Sequence, residues 1–296
     1  MLEEIIFGTR GSPLALIQTN SIIKKLIKLF PETKCKIKII ETEGDRDQDI
    51  SLTLTEQLGL FSSEIQSELI KKNIDLAVHS LKDVPVDKVD MITLAAVPDR
   101  INEKDLLYHE NGLNIYQLPK GSVIGTCSLR RKLQIESLRK DLVVKDIRGN
   151  IDSRIGRVKS GEYSAIVLAA AGLIRLGYDI SKYYVFNFDE MVPAPGQGAL
   201  AVEARKDDPE LLNMISQINN IYLQEAVDLE RELLKYIGLG CSSPIGAFAT
   251  SYKNGIDIHA CYIDPDTGKK TVVKKQRLTG ASKELVKGIA RELFIK

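Results

Sequence analysis

The chain has 296 residues, 44% of them hydrophobic and 27% charged, with a net charge of +1. That is enough chain for two or three cores, and the near balance of charge excludes a broad basic surface for nucleic acid or membrane, so any anion site must be local. No apolar run approaches the ~20 residues of a membrane span, and the opening Met1-Leu2-Glu3-Glu4 has no signal-peptide pattern, so a cytoplasmic protein is expected. Four widely spaced cysteines without a C-x-x-C, and three scattered histidines, favour neither disulfides nor zinc.

In chain order, the spacing predicts a strand over Ile5–Thr9, then an amphipathic helix capped by Ser12, with Pro13 in its first turn, reaching Phe30. Lys36–Thr42 reads as a second strand, with Cys35 sharing the apolar alternation of Ile37 and Ile39. Ser63 and Gln66 form a capping-box pair for a helix to Lys72. Ile74–Val78 is a short apolar strand of the kind buried in parallel sheets, and Met91–Val97 adds another. The grammar then restarts: strand Ser122–Gly125, helix Ser128–Arg139, strand Leu142–Ile147, helix Ile151–Lys159 stopped by Gly161, strand Ala165–Ala169. Tyr184–Phe188 and Ala199–Glu203 are strand-like, joined by Pro193-Ala194-Pro195-Gly196-Gln197-Gly198, whose prolines point to a crossover between domains. A helix over Ile221–Tyr236, strands at Ala247–Tyr252, Ile256–Tyr262 and Lys270–Leu278, and a helix over Ser282–Phe294 predict a small α+β domain with a three-stranded antiparallel sheet. The expected division is 1–98 with 197–218, then 99–196, both α/β, and 219–296.

Ligands of open α/β sheets bind beyond the carboxyl ends of the strands. Those positions carry Thr9, Arg10, Gly11 and Ser12; His79, Ser80, Lys82 and Asp83; Thr126, Ser128, Arg130 and Arg131; and Arg148-Gly149-Asn150. Any one of these arginines reads as a solvated helix-face charge, but together they predict several carboxylates or phosphates held between two domains, two groups also opening helices whose N–H ends favour anions. Asp83 is the odd member, either a stabiliser of positive charge on a substrate or a helix cap or ion-pair partner of Lys82. His79 reads as structural. Gly196-Gln197-Gly198-x-x-Ala201 resembles a dinucleotide fingerprint but precedes its strand, so it is set aside. Further on, Gly238-Leu239-Gly240-Cys241-Ser242-Ser243-Pro244-Ile245-Gly246 reads either as a presented thiol, a nucleophile once partly deprotonated, or as a small buried hydrophobe in a turn.

Seven strings occur in order: Thr9-Arg10-Gly11-Ser12-Pro13-Leu14-Ala15, Gly44-Asp45, His79-Ser80-Leu81-Lys82-Asp83-Val84-Pro85, Gly125-Thr126-Cys127-Ser128-Leu129-Arg130-Arg131, Ile147-Arg148-Gly149-Asn150, Pro193 to Gly198, and Gly240 to Gly246. In this the chain resembles the hydroxymethylbilane synthases, also called porphobilinogen deaminases, from Gly8 to Gly246. The resemblance implies two similar α/β domains of the type II periplasmic-binding-protein kind plus the C-terminal α+β domain. It also implies head-to-tail condensation of four porphobilinogen molecules with release of four ammonia, then hydrolytic release of hydroxymethylbilane. The implied cofactor is a dipyrromethane bound by thioether to Cys241. By motif match Asp83 would be catalytic, and Ser80, Lys82, Thr126, Ser128, Arg130, Arg131, Arg148 and Gly149 would bind the cofactor. Arg10, Ser12, Gln18, Phe61, Arg148, Arg154 and Gln197 would bind substrate. Each pyrrole ring brings an acetate and a propionate, which clustered arginines suit with their planar forks. The family further implies a monomer with no nucleic-acid or membrane partner.

The chain departs from better-known relatives over Asp49–Leu60, Asp-Ile-Ser-Leu-Thr-Leu-Thr-Glu-Gln-Leu-Gly-Leu, which has no base and one glycine, and at Ser62-Ser63. Slower or less salt-sensitive turnover is the expectation from that segment. A solute-binding protein and an inactive scaffold are the rival readings, and ammonia release from porphobilinogen separates both from a synthase.

Overall fold

Most of the strands and helices expected from apolar spacing form, with ends displaced by at most three residues. The computed structural model describes residues 4–42, 63–87, 89–238, 243–278 and 283–294. Gly44-Asp45, the 49–60 segment, Phe61 and Cys241 therefore lie outside the described residues.

Two compact units are present, Met1–Ile101 with Ala199–Glu225 and Asn102–Gly198 with Ala226–Lys296. In the first, β1 (Glu4–Thr9), β2 (Lys34–Ile39) and β3 (Leu76–Ser80) run parallel, and β10 (Leu200–Arg205) lies antiparallel between β3 and β4 (Ile92–Ala96), giving the order β2-β1-β3-β10-β4. Helix α1 (Pro13–Leu29) starts where predicted because the Ser12 hydroxyl accepts from Ala15 N and proline fills the first position. It packs Ile22 and Leu26 with α6 (Pro209–Ser216) on one face of the sheet, against Ile5, Phe7, Leu76 and Val202. On the other face α2 (Ser63–Ile70) buries Ile65 and Leu69 against Ile74 and Ala77. Helix α2 does not use the predicted capping box. Ser63 bonds Glu64 instead, and Gln66 turns inward to Glu203. A buried carboxylate on β10 is a stronger attraction for that amide than a helix end exposed to water.

The second unit repeats the pattern. Strands β7 (Val143–Lys145), β6 (Val123–Gly125) and β8 (Ala165–Ala169) are parallel, and β5 (Asp105–Tyr108) lies antiparallel between β8 and β9 (Tyr184–Val185), in the order β7-β6-β8-β5-β9. In each sheet the odd antiparallel strand, β10 or β5, directly follows a passage of the chain between units. Helices α3 (Leu129–Leu138), α4 (Ile151–Lys159) and α5 (Ala170–Arg175) accompany this sheet. Cores line both of its faces, one around Leu106, Ile166 and Leu173, the other around Leu107, Ile124 and Val167.

Helix α7 (Ile221–Ile237), the antiparallel sheet β11 (Ile245–Tyr252), β12 (Gly255–Ile263), β13 (Lys270–Leu278), and α8 (Lys283–Phe294) form the predicted α+β portion, with a core of Leu229, Leu233, Ile258, Val286 and Ile289. It belongs to the second unit because Cys261 and Ile263 pack with Leu133 and Val192, and Phe188 stacks on Phe248 at 4.9 Å. Gly246 is required at this contact. A Cβ there would stand 2.5 Å from the Val192 carbonyl oxygen. Among the described residues no helix is long and apolar enough to cross a membrane.

Candidate functional site

Each unit gathers the predicted residues at the carboxyl ends of its parallel strands. In the first, β1 ends at Thr9, Arg10 is half-buried, and Ser12 is committed to capping α1. Gln18, one turn and a half into α1, is buried and donates to Ser80 Oγ at 2.8 Å, so it fixes the last residue of β3. The chain then makes a 3-10 turn over Leu81–Asp83. Its period of three residues puts Leu81 and Val84 on one side, and both are buried. Leu81 N donates to Ala199 O and Val84 N to Leu81 O, which pins the turn at both ends. Lys82 is left half-buried and Asp83 exposed. Among the described residues Asp83 forms neither cap nor ion pair, so the two bland alternatives for it are not realised.

His79, on the strand that leads into this turn, is buried. Its Nε2 lies 3.2 Å from Glu203 Oε2, without the angle of a hydrogen bond, while Gln66 Nε2 donates to both Glu203 oxygens.

In the second unit Thr126 follows β6, is buried, and accepts from Ser128 N at 3.2 Å. Ser128 caps α3, accepting from Arg131 N. Arg130 and Arg131, in the first turn of α3, point inward and are 4% and 7% exposed, an environment that demands a counter-charge. Asp105 supplies it at 0% exposure. Arg130 Nη1 donates to Asp105 Oδ2 at 2.8 Å and to Val192 O at 2.7 Å. Arg131 donates from Nε and Nη2 to Asp105 Oδ1 and from Nη1 to Val167 O. Burial pulls the Arg130 pKa down, and Asp105 opposes it. Gln197, matched to a substrate ligand, is itself fully buried, its amide donating to Glu103 O and Asp105 Oδ1.

The third group sits at the start of α4. Asn150 caps the helix by accepting from Ser153 N, Gly149 takes a φ of +104° that favours glycine, and Arg154 Nε donates to Gly149 O at 2.7 Å. Arg148 and Arg154 are half-buried. Sequence reasoning missed Asp105 and Glu230. The latter is a fully buried carboxylate on α7 that accepts from Gly196 N at 2.6 Å and Ala249 N at 2.7 Å.

Residues 5–213 match the family model "Porphobilinogen deaminase, dipyromethane cofactor binding domain", and residues 224–294 match "Porphobilinogen deaminase, C-terminal domain". The chain belongs to the porphobilinogen deaminase family. It is 42% identical over 287 residues to the porphobilinogen deaminase of Geobacillus kaustophilus, covering 96% of this chain and 92% of that one. It is 41% identical over 291 residues to that of Shouchella clausii, covering 98% and 93%. Among solved structures, the methionine binding protein MetQ aligns with 80% of this chain and 97% of its own at 13% identity and a TM-score of 0.46. So loose a superposition carries no weight, and the likeness of the two α/β units rests on their shared strand order. Membership makes the chain an enzyme of tetrapyrrole biosynthesis, a transferase with hydroxymethylbilane synthase activity and a dipyrromethane cofactor.

Proposed function

We propose that Asp83 is the catalytic carboxylate, that Cys241 carries the dipyrromethane by thioether, and that the cations gathered on each unit hold the carboxylates of cofactor and substrate. The observation that carries this reading is the Leu81–Asp83 turn, buried at Leu81 and Val84 and exposed at Asp83, which holds at a strand end a carboxylate with no partner among the described residues. The donor set suits the cofactor. Hydroxyls at Thr126 and Ser128, the ammonium of Lys82 and guanidinia at Arg148 and Arg154 are the groups that bind acetates and propionates, and two sets open helices whose positive ends favour anions. Arg130 commits only Nη1 to the described bonds, so Nε and Nη2 remain as donors. When bound, the dipyrromethane would supply the pyrrole end on which the chain grows.

Ammonia leaves porphobilinogen with the electron pair of the C–N bond, and the methylene-pyrrole left behind is cationic. Asp83 stabilises that charge as it develops, which lowers the barrier because the carboxylate is already in place and needs no reorganisation. Arg10, Arg148 and Arg154 hold the substrate carboxylates that orient the ring. Gln18 and Gln197 act from beneath, on Ser80 and Asp105. We further read the chain as three domains, a monomer working in the cytoplasm without nucleic acid or membrane, in keeping with its net charge. The test is ammonia release from porphobilinogen together with intact mass. The wild type should release ammonia and carry a two-pyrrole increment that is absent after Cys241→Ser; an increment retained by Cys241→Ser would overturn the attachment site.

A further inference from the structure

The 192–198 segment is bonded at both ends of a continuous buried chain of contacts. Val192 O accepts from Arg130 Nη1 and from Gln134 Nε2, and Val192 N donates to Gln134 Oε1. Pro193 O accepts from Ala247 N on β11. Gly196 N donates to Glu230 on α7, and the other Glu230 oxygen accepts from Ala249 N on β11. Gln197 returns to Asp105, which closes the circuit on Arg131 and Arg130. Helix α7 and strand β11 are the two elements that flank Cys241 in sequence.

The geometry points to Asp105 and Glu230 as positioning residues. Asp105 sets the two guanidinia of α3, and Glu230 ties the segment that carries Gln197 to the elements on either side of the cofactor cysteine. This rests on the reading that Arg130 and Arg131 bind cofactor or substrate carboxylates. Neither Asp105 nor Glu230 has surface with which to touch a ligand, both being 0% exposed. Their effect must therefore pass through the arginines. Asp105 is the more demanding position, since it alone among the described carboxylates meets both guanidinia, and three separate donor side chains converge on its two oxygens. An aspartate of the right length held on β5 fixes the fork orientation of each arginine before any ligand arrives, and preorganisation of this kind is felt as binding strength.

The experiment compares Asp105→Asn, Glu230→Gln and Arg131→Lys with the wild type. It measures the rate at which apoprotein gains the two-pyrrole mass when given porphobilinogen, KM and kcat of the holoprotein, and thermal stability. Asp105→Asn should slow cofactor loading and raise KM by about tenfold or more, the loss expected for hydrogen bonds to a charged group, with kcat changed little. Glu230→Gln should move the same two quantities in the same direction by less. If Asp105→Asn does not fold, Glu230→Gln decides the matter alone. A variant that melts earlier yet loads cofactor and binds substrate as the wild type does would overturn the proposal, because a merely structural role predicts that result. Normal loading and KM in Arg131→Lys would instead overturn the underlying assignment of the arginines, and this separates the two failures.

Discussion

The cluster on the first unit and the cluster on the second solve opposite problems. At the Leu81–Asp83 turn a carboxylate is exposed and has no partner among the described residues, while the backbone beneath it is buried and bonded. At the start of α3 the charged side chains themselves are buried, Asp105 and backbone carbonyls engage them, and Gln197 in turn holds Asp105. On the proposed roles, the contrast separates chemistry from recognition. In those roles, the group that would meet a transient positive charge has no charge partner among the described residues, whereas the groups that would present a fork to a carboxylate are held in place.

The contrast breaks most plainly on stability. Asp105→Asn leaves two buried guanidinia without their counter-charge, which should cost about 3–5 kcal/mol of folding free energy. Asp83→Asn should cost within about 0.5 kcal/mol, as for a surface change away from any buried network. Urea denaturation of both proteins measures the difference, and equal losses would erase the distinction between the clusters. Next in size is Gly246→Ala, whose new methyl would press on the Val192 carbonyl oxygen. Overpacking of that kind costs about 1–3 kcal/mol. Since Val192 O also anchors Arg130, slower cofactor loading should accompany the lower melting temperature.

Acidification gives a smaller and graded test of the same docking of α+β portion onto α/β portion. His259 sits edge-on to Phe188, near Lys270, Lys274 and Asp189, with Lys104 over the same Phe188 ring, and its Nε2 is buried without a hydrogen-bond partner. Burial, then the lysines, hold its pKa below the ordinary 6.5, against the pull of Asp189. The unfolded chain therefore binds a proton more readily than the folded one. Stability from this group is complete above pH 6.5 and declines as pH falls from there towards the lower folded value. His259→Gln should flatten the melting-temperature profile between pH 7 and 5; an unchanged slope would remove His259 from the account. At the small end, burial pushes the Cys261 thiol up to about 11, so in native protein at pH 8 a thiol-alkylating reagent should label exposed Cys127 and spare Cys261.

Much of this arrangement was legible in the residues. Ser12 and Pro13 announce the helix that follows them, and Gly161 marks the end of helix Ile151–Lys159, because a cap, a first-turn proline and a glycine stop are local signals. The positions of Asp83, Arg130 and Arg131 at strand or helix ends followed from strand counting. What escaped depends on partners far away in sequence. Strand β5 is four residues long and begins with a charge, which only makes sense once Arg130 and Arg131 are beside it. Gln66 looks like a capping residue until Glu203, 137 residues on, claims its amide. Glu230 did leave a trace. It stands on the same stripe of α7 as Ala226 and Leu233, and a charge on a buried stripe is a residue with a hidden partner.

The division of labour is tested most directly on Asp83→Asn protein supplied with porphobilinogen, by reading intact mass and ammonia release from one sample. The account predicts a two-pyrrole increment still attached and ammonia release reduced about a hundredfold or more. Release at the wild-type rate would contradict the assignment of Asp83, and a bare mass would show that this carboxylate serves binding instead of the chemical step.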